Sequence, residues 1–334
     1  MDANMNANNI NMKHNQRSSR QLKQKPNHKP NRIFGHNVNL KRISAPANII
    51  WNLIFAMASL TCILPVLLVL MISVTDEKSL IQNGYSFFPK VFGFAGYEYI
   101  FKQGTAIINA YRVSIVTSLI GTFVSTMVIA LYAYPLSRMN FKYRKGFTAF
   151  VFITMLFSGG LVPWYVMYTQ VLRIGDTLGA LIVPYIMNAW YVLILRTFYR
   201  GAVPEELLES ARIDGANEFY IFVKIALPLS TAGLATVGLF SMLTYWNDWW
   251  LPLVFIRNTS LYNIQYLLRS ILENIQFIAR MSTIAANVGL AMKDMPNETI
   301  RMAIAIVAIG PIVFAYPFFQ RFFVKGLTIG AVKG

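Results

Sequence analysis

Carboxylates and very small side chains are concentrated at one place in this sequence, between residues 203 and 228. Glu205, Glu206 and Glu209 precede a run of small residues, and Asp214-Gly215 follows. Short side chains let two protein surfaces approach closely, and carboxylates beside them can pair with a basic partner. The pattern therefore indicates a docking segment, residues 203–228, that binds another protein rather than a centre that performs catalysis.

The docking segment is expected to fold as a helix, a turn and a second helix. Pro204 suits the first helical position, and the two glutamates after it favour the positive end of a helix. Asp214-Gly215 is a turn signal, because glycine takes positive φ without steric cost. Pro228 is expected to end the second helix, since the residue before a proline avoids the α region. The apolar face of that second helix is predicted from helical spacing to be Phe219, Phe222, Val223 and Ala226.

A helix lying flat on the membrane surface is the alternative interpretation of the docking segment. Interfacial helices of this kind are usually rich in Lys and Arg on their polar face. Residues 203–219 instead carry five carboxylates against the single Arg212. The charge pattern therefore favours docking over membrane binding.

Catalytic and metal-binding signals are missing from the sequence. It contains no G-x-x-x-x-G-K-[ST] motif for ATP, no H-E-x-x-H and no G-x-S-x-G. His14, His28 and His36 all lie near the N-terminus, which gives little support to a proton relay. Cys62 is the one cysteine, so neither an intrachain disulfide nor a cysteine metal site can form. We expect no catalytic residue, metal or cofactor, and no ATP hydrolysis by this chain itself.

The elements that must carry the docking segment are apolar enough to lie in a bilayer. Of the 334 residues, 55% are hydrophobic and 13% are charged, against about 25% charged residues in soluble proteins. A helix needs about 20 apolar residues to cross the hydrocarbon core. The sequence therefore predicts an all-α integral membrane protein with six transmembrane helices. They are expected at about 49–74, 113–136, 147–168, 178–195, 230–254 and 302–319.

Basic residues set the expected orientation of these helices. The formal net charge is +16, and it is concentrated near the N-terminus and in short loops such as residues 138–145. Because Lys and Arg favour the cytoplasmic side, we expect both termini and the docking segment in the cytoplasm, with loops 75–108 and 257–299 outside. This distribution does not suit nucleic-acid binding. Residues 1–46 lack apolar material for a core and are expected to form a disordered basic cytoplasmic tail, ahead of a transmembrane domain at 47–334.

The docking segment resembles a motif of one transporter family, the EAA loop of ABC-importer permeases. The matching residues are Glu209-Ser210-Ala211, two residues, Asp214-Gly215-Ala216, eight residues and then Ile225-x-Leu227-Pro228. The family pattern has alanine where this chain has Ser210, and serine is small enough for the same contact. Similarity in residues 245–249 and 323–334 points to the second permease subunit of maltose-type carbohydrate importers. The subgroup handles oligosaccharides, some of them rich in uronic acids.

The resemblance implies the type I ABC-importer permease fold and a division of labour. The loop at 199–228 would sit in a cleft of a cytoplasmic ATPase subunit. The residues that the resemblance assigns to this contact are Glu209, Ser210, Ala211, Asp214, Gly215 and Ala216. The implied partners are a sister permease forming a heterodimer, two ATP-binding subunits, an extracellular or periplasmic solute-binding protein and a sugar. The implied location is the bacterial plasma membrane, where this multi-pass chain would form half of the path.

Polar and aromatic residues near the end of the fifth predicted span are the candidates for touching a sugar. Sugars stack on aromatic rings and hydrogen-bond to amides, and polar residues within spans tend to face a cavity. This favours Trp246 and Asn247 as path residues. Trp249 and Trp250 fit an aromatic belt at the membrane surface at least as well. Arg112 could meet an acidic sugar, although it fits an interfacial position better.

Two other classes of protein are weighed against the importer permease. An ion-coupled secondary transporter would need no ATPase and would typically show internal repeats, which are not obvious here. A membrane enzyme or scaffold would need catalytic residues at the membrane boundary, and no convincing set is present.

Overall fold

Helices dominate the computed structural model, which describes residues 45–102, 104–285, 297–315 and 317–320. In chain order the α-helices are α1 Ala45–Ser73, α2 Glu77–Asn83, α3 Ala95–Phe101, α4 Gly104–Ser137, α5 Arg144–Leu156, α6 Leu161–Val166, α7 Leu178–Ile182, α8 Ala189–Ala202, α9 Glu205–Ile213, α10 Glu218–Ile221, α11 Leu227–Leu229, α12 Thr231–Trp246, α13 Trp250–Phe255, α14 Ile264–Ala285 and α15 Asn297–Ile309. Met167–Val171 and Phe222–Ala226 are π turns, and Val183–Tyr185 and Thr259–Leu261 are 3-10 turns. No strand forms among the described residues, which confirms the helical prediction. The predicted tail up to residue 44, and the family-like ending at 323–334, lie outside them.

Candidate membrane spans are of two kinds. Three helices are long and apolar enough to cross a membrane: Ala47–Ser73, Gly104–Ser137 and Glu298–Gln320. Three further pairs pass the same test together but are bent, by 115°, 53° and 81°: Arg144–Leu156 with Leu161–Val171, Leu178–Tyr185 with Ala189–Ala202, and Glu218–Leu229 with Thr231–Trp246. The described residues therefore contain three candidate spans, or up to six if each bent pair crosses as one.

Helix α1 is apolar on all sides. The chain divides into two units, residues 1–60 and 61–334, and the described part of the first unit is the beginning of α1. Large side chains there are exposed, with Ile49 at 68% and Phe55 at 64%. An apolar helix with exposed side chains suits contact with lipid, because hydrocarbon can surround it without cost.

The second unit is built around the long helix α4, which packs against α8 and α12. The seam with α12 is close because Gly121 lies against the ring of Tyr245, where an added Cβ would come within 2.6 Å of the ring. Small residues at such positions let helix backbones approach closely. The Tyr245 hydroxyl donates to the carbonyl oxygen of Ile182 at 2.9 Å, so the same side chain also fixes the turn after α7.

Three hydrophobic clusters fill the second unit. The docking cluster joins α4, α5, α8 and α12 to the docking segment, and its buried residues are Ile129, Ala130, Ala133, Tyr134, Leu136, Val151, Val192, Leu195, Tyr199, Val203, Leu208, Ile221, Phe222, Ala226 and Val237. The α14 cluster contains Ile100, Ile107, Ala110, Trp246, Ile264, Leu267, Leu268, Ile271, Ile275, Ile300, Ala303, Ile304 and Val307. The α13 cluster contains Val113, Ala180, Leu181, Leu251, Phe255 and Ile256. The docking segment is thus part of the core rather than an appended loop.

Regular helices occupy much of the two segments that were expected to be loops. Residues 75–108 contain α2 and α3, and α14 runs for 22 residues within 257–299. Helix α14 buries Ile264, Leu268, Ile271 and Ile275, whose spacing follows the helical period. The apolar and polar residues in this segment are therefore spaced as in an amphipathic helix, whereas a loop was predicted here.

Candidate functional site

The docking segment begins with the short helix α9. The helix starts at Glu205, with Pro204 in the capping position before it, so it begins one residue later than predicted. Glu205 and Glu206 lie in the first turn, where carboxylates stabilise the positive end of a helix. Leu208 is fully buried in the docking cluster. This single apolar anchor holds α9 against the membrane helices and leaves its opposite side exposed.

A Schellman motif ends α9 and accounts for the small residues of the sequence pattern. The amide of Ala216 donates to the carbonyl of Ala211 at 2.9 Å. The amide of Gly215 donates to the carbonyl of Arg212 at 3.0 Å. These two bonds define the motif. Gly215 has φ 83°, a conformation that glycine adopts without a Cβ clash. The turn is therefore rigid, and its shape depends on glycine at this position.

The structure separates the six predicted contact residues into two groups. Ala211 and Ala216 are half-buried and pack on the docking cluster. The other four are exposed around the turn: Glu209, Ser210, Asp214 and Gly215. Of the six, only these four are exposed, whereas the two alanines pack against the core and help to shape the turn.

Two exposed apolar side chains lie beside this group and were not predicted as contact residues. Ile213 is 87% exposed and Leu207 is 42% exposed. Helical spacing in the sequence could have predicted their exposure, because Leu207 and Ile213 both lie off the helix face that Leu208 buries. Exposed apolar groups on an otherwise acidic surface indicate where a partner would exclude water.

Arg138 ties the docking segment to the end of α4, although the sequence analysis counted it only as a basic loop residue. It is 6% exposed. Its guanidinium donates to the carbonyl oxygens of Tyr199 at 3.0 Å and Val203 at 3.4 Å, and to the Glu205 carboxylate at 3.3 Å. A buried guanidinium satisfied on several sides forms a strong, directional link.

The charge chain continues from Glu205 across the turn. Glu205 also pairs with Arg212 at 3.5 Å, and Arg212 pairs with Glu218 at 2.7 Å. Hydrogen bonding to Glu218 raises the pKa of the Arg212 guanidinium, so the arginine is held in its charged form. The chain of four charges therefore joins α4, α9 and α10.

The second half of the docking segment differs from the prediction in two respects. Phe219 is 70% exposed and Ile221 is buried instead, whereas Phe222 and Ala226 are buried as predicted. The helix ends at Leu229, one residue beyond Pro228, and the chain then bends by 81° into α12. The π turn ahead of Pro228 widens the backbone, which relieves the clash between the proline ring and the preceding turn.

Trp246 and Asn247 lie where α12 ends, in the middle of the predicted fifth span. Trp246 is 2% exposed, and its indole N–H donates to the carbonyl of Ala308 at 3.1 Å. Asn247 is exposed and caps the end of α12. Asn247 is therefore exposed at the break, whereas the Trp246 ring is packed inside the α14 cluster.

Asp248, which the sequence analysis did not single out, organises the break between α12 and α13. Its Oδ1 accepts hydrogen bonds from the amides of Trp250 at 3.0 Å and Leu251 at 3.1 Å, and from the Tyr185 hydroxyl at 3.2 Å. Its backbone carbonyl accepts from the side-chain amide of Asn263. An aspartate just before an apolar run is a helix-start signal, so the sequence did contain this information. The predicted span 230–254 is therefore two helices.

The sequence is similar to two proteins of Bacillus subtilis over most of its length. No family model matches the chain. The polygalacturonan/rhamnogalacturonan transport system permease protein YtcP of Bacillus subtilis (strain 168) is 36% identical over 278 residues, which cover 83% of this chain and 95% of that protein. Protein LplC of the same organism is 35% identical over 301 residues, covering 90% of this chain and 98% of LplC.

The fold has a counterpart among solved structures. A chain in the crystal structure of a bacterial ABC transporter involved in the import of the acidic polysaccharide alginate superposes with a TM-score of 0.68. The match covers 83% of this chain and 96% of that chain, at 22% sequence identity. The identity and coverage of the sequence relatives, together with the apolar helices, show a multi-pass membrane protein. The chain belongs to the family of carbohydrate ABC-transporter permeases.

Proposed function

We propose that this permease carries an oligosaccharide through the plasma membrane, forming half of the path, while separate subunits hydrolyse ATP. The observation that carries the proposal is the exposed docking segment, which buried contacts and the Arg138–Glu205 pair join to the membrane helices. The name of YtcP, a relative that transports polygalacturonan and rhamnogalacturonan, supports an oligosaccharide containing uronic acids as the substrate.

Six spans with both termini in the cytoplasm are proposed as the topology, in a transmembrane domain at 47–334 behind a basic tail. Arg138 follows directly after α4 and contacts the docking segment, so the basic loop 138–145 and the docking segment lie on one side. The positive-inside rule assigns that side to the cytoplasm. Counting each bent pair as one span gives an even number, which returns the C-terminus to the same side.

The ATPase contact is proposed on the exposed side of α9 and its turn. Ala211, Gly215 and Ala216 hold the shape of this surface. The proposed contact residues are Leu207, Glu209, Ser210, Ile213 and Asp214, all exposed. A protruding apolar side chain within a ring of polar groups is the arrangement expected of an interface centre.

Movement of the docking segment would pass to the membrane helices by two routes. One route is Arg138, which links α9 to the end of α4. The other is the chain itself, since α10, the π turn and α11 lead directly into α12. Closure of the ATPase subunits around nucleotide would then bias the helices between an inward-open and an outward-open arrangement.

The assembly that this function requires has several subunits. We infer a heterodimer with a sister permease, two cytoplasmic ATP-binding subunits and a solute-binding protein outside. The permease names of the relatives support such a system in general, and the proposed contact surface supplies a place for the ATPase.

Asn247 is proposed as a residue that touches the passing solute. It is exposed at the helix break, and an amide can both donate to and accept from sugar hydroxyls. Trp246 and Asp248 on either side are buried, so they position Asn247 rather than bind the solute.

Co-purification tests the coupling role. A tagged permease expressed with its partners is expected to retain a cytoplasmic ATPase through detergent extraction. Ile213→Asp puts a charge into the proposed contact and is expected to lower ATPase retention by about tenfold or more. Ile81→Asp is the matched control, because Ile81 is 75% exposed on α2, which contacts α15 rather than α9.

Two outcomes would overturn this proposal. Full ATPase retention by Ile213→Asp would show that the contact lies on another surface. Uptake that persists when ATP is depleted, with no ATPase bound to the unaltered protein, would replace the importer with an ion-coupled secondary transporter.

A further inference from the structure

An arginine is stacked on a tryptophan beside the helix break at 247–249. The guanidinium carbon of Arg269 lies 3.5 Å from the centre of the Trp249 ring. Its Nε donates to the Glu273 carboxylate at 2.7 Å, one helical turn further along α14. The two charged side chains are 40% and 58% exposed. The arginine is therefore held in one orientation while solvent still reaches it.

The contacts of Arg269 leave the edge of the guanidinium that carries the two terminal nitrogens available for a ligand. The indole covers one flat face, and Glu273 occupies Nε. The two terminal nitrogens have no hydrogen-bond partner in the part of the chain that the structure describes. Paired terminal nitrogens of arginine match the two oxygens of a carboxylate, and the fixed plane lowers the entropy lost on binding.

The position of Arg269 relative to Asn247 is set by tertiary contacts. Asn263, just ahead of α14, donates to the backbone carbonyl of Asp248 within the break. Helix α14 then buries its apolar face in the α14 cluster and turns Arg269 and Glu273 outward. Charged side chains of membrane proteins avoid lipid and face water or protein. The charged face of α14 is thus placed at Trp249, two residues along the chain from the exposed Asn247, and its charges favour water or protein over lipid.

We propose that Arg269, stacked on Trp249, is a carboxylate-binding site that admits acidic sugars at the outer end of the path. This inference rests on the proposed function and deepens it. A uronic acid unit would place its carboxylate on the terminal nitrogens of Arg269, while Asn247 meets its hydroxyls. A site built to pair a charged group discriminates strongly against an analogue that lacks this group, because its own polar atoms are then left unpaired.

Uptake of two matched trimers tests the inference. The complete complex in proteoliposomes is given trigalacturonate or its methyl ester, which has the same sugars without the charges. Arg269→Gln is expected to lower uptake of the acid by about tenfold and uptake of the ester by less than about twofold. Arg269→Lys keeps the charge but loses the paired geometry, so an intermediate loss is expected. Arg257→Gln is the control, since Arg257 is an exposed arginine just ahead of α14.

Several of the remaining outcomes would overturn one of the two proposals. Unchanged acid uptake by Arg269→Gln would remove the carboxylate site. An equal loss for both trimers, or a lower yield and melting temperature of the complex, would show that Arg269 only holds α14 in place. If the unaltered complex carries the acid alone, complex yield and melting temperature serve as the structural readout in place of the ester. An unaltered complex that carries neither trimer would overturn the proposed substrate class itself.

Discussion

Two interruptions of the helical chain, the junction of α8 with α9 and the break after α12, are each held by a carboxylate in contrasting surroundings. Glu205 is 31% exposed and pairs with two arginines. Asp248 is 6% exposed and accepts hydrogen bonds from two amides and a tyrosine hydroxyl. Near water a charge pair forms without full desolvation, whereas a buried carboxylate is stabilised by short, directed donors.

The difference suits the two tasks. The docking turn must present a rigid shape to a partner and pass movement on, and a chain of charges links three helices while leaving one side exposed. The break at 247–249 has to fix the direction of one exposed side chain, Asn247, and local capping achieves this. Rigid geometry is common to both, so substitutions that alter backbone conformation or buried links should matter most.

Gly215→Val is expected to have the largest effect, with oligosaccharide uptake abolished and membrane insertion intact. At φ 83° a β-branched residue is strained by about 1–2 kcal/mol, and relief of that strain would change the shape of the docking turn. Gly201→Val is the matched control, because Gly201 lies in α8 with open space around an added Cβ. Normal uptake by Gly215→Val would show that the turn shape is not used.

Arg138→Met is expected to reduce the stability of the detergent-solubilised protein by about 2 kcal/mol and to weaken ATP-driven uptake. The substitution leaves the carbonyl of Val203 and one oxygen of Glu205 without their donor, and it removes one of the two donors to the carbonyl of Tyr199. Thermal melting and uptake measure the two effects. Lys145→Met removes an exposed charge in the first turn of α5 and should change neither. A melting curve for Arg138→Met that matches this control would contradict the assignment.

Two substitutions of Asp248 separate its hydrogen bonds from its charge. Asp248→Asn keeps an oxygen that can accept all three bonds, so stability should change little. Asp248→Ala removes the cap and should cost about 1–2 kcal/mol, measured by thermal melting. Equal damage from both variants would mean that the negative charge, rather than capping, is what the break requires.

Arg212→Gln is expected to have the smallest effect, less than about 1 kcal/mol. The Arg212 and Glu218 side chains are 32% and 62% exposed, so water screens their attraction. The small loss should shrink further in high salt, which thermal melting at two ionic strengths would show. A loss as large as that of Arg138→Met would indicate that the whole charge chain acts as one unit.

Features that depend only on residues close together in the sequence could be predicted. Apolar stretches marked most of the candidate spans, because span length follows from bilayer thickness. Asp214-Gly215 marked the docking turn, because only glycine takes its φ readily. Local patterns failed at Phe219, which is exposed although its spacing placed it on the apolar face, and in α14, where amphipathic spacing was taken for a loop.

The sequence by itself determined the membrane class, the helical content and the docking turn, since these follow from local hydrophobicity, periodicity and backbone sterics. Tertiary structure alone decided that Arg138 reaches Glu205, that Trp246 is buried and that Arg269 covers Trp249. The reason is physical: these contacts join residues on different helices, and their geometry exists only once those helices have packed. Residue types and spacing therefore specify which groups are available, and packing specifies which of them meet.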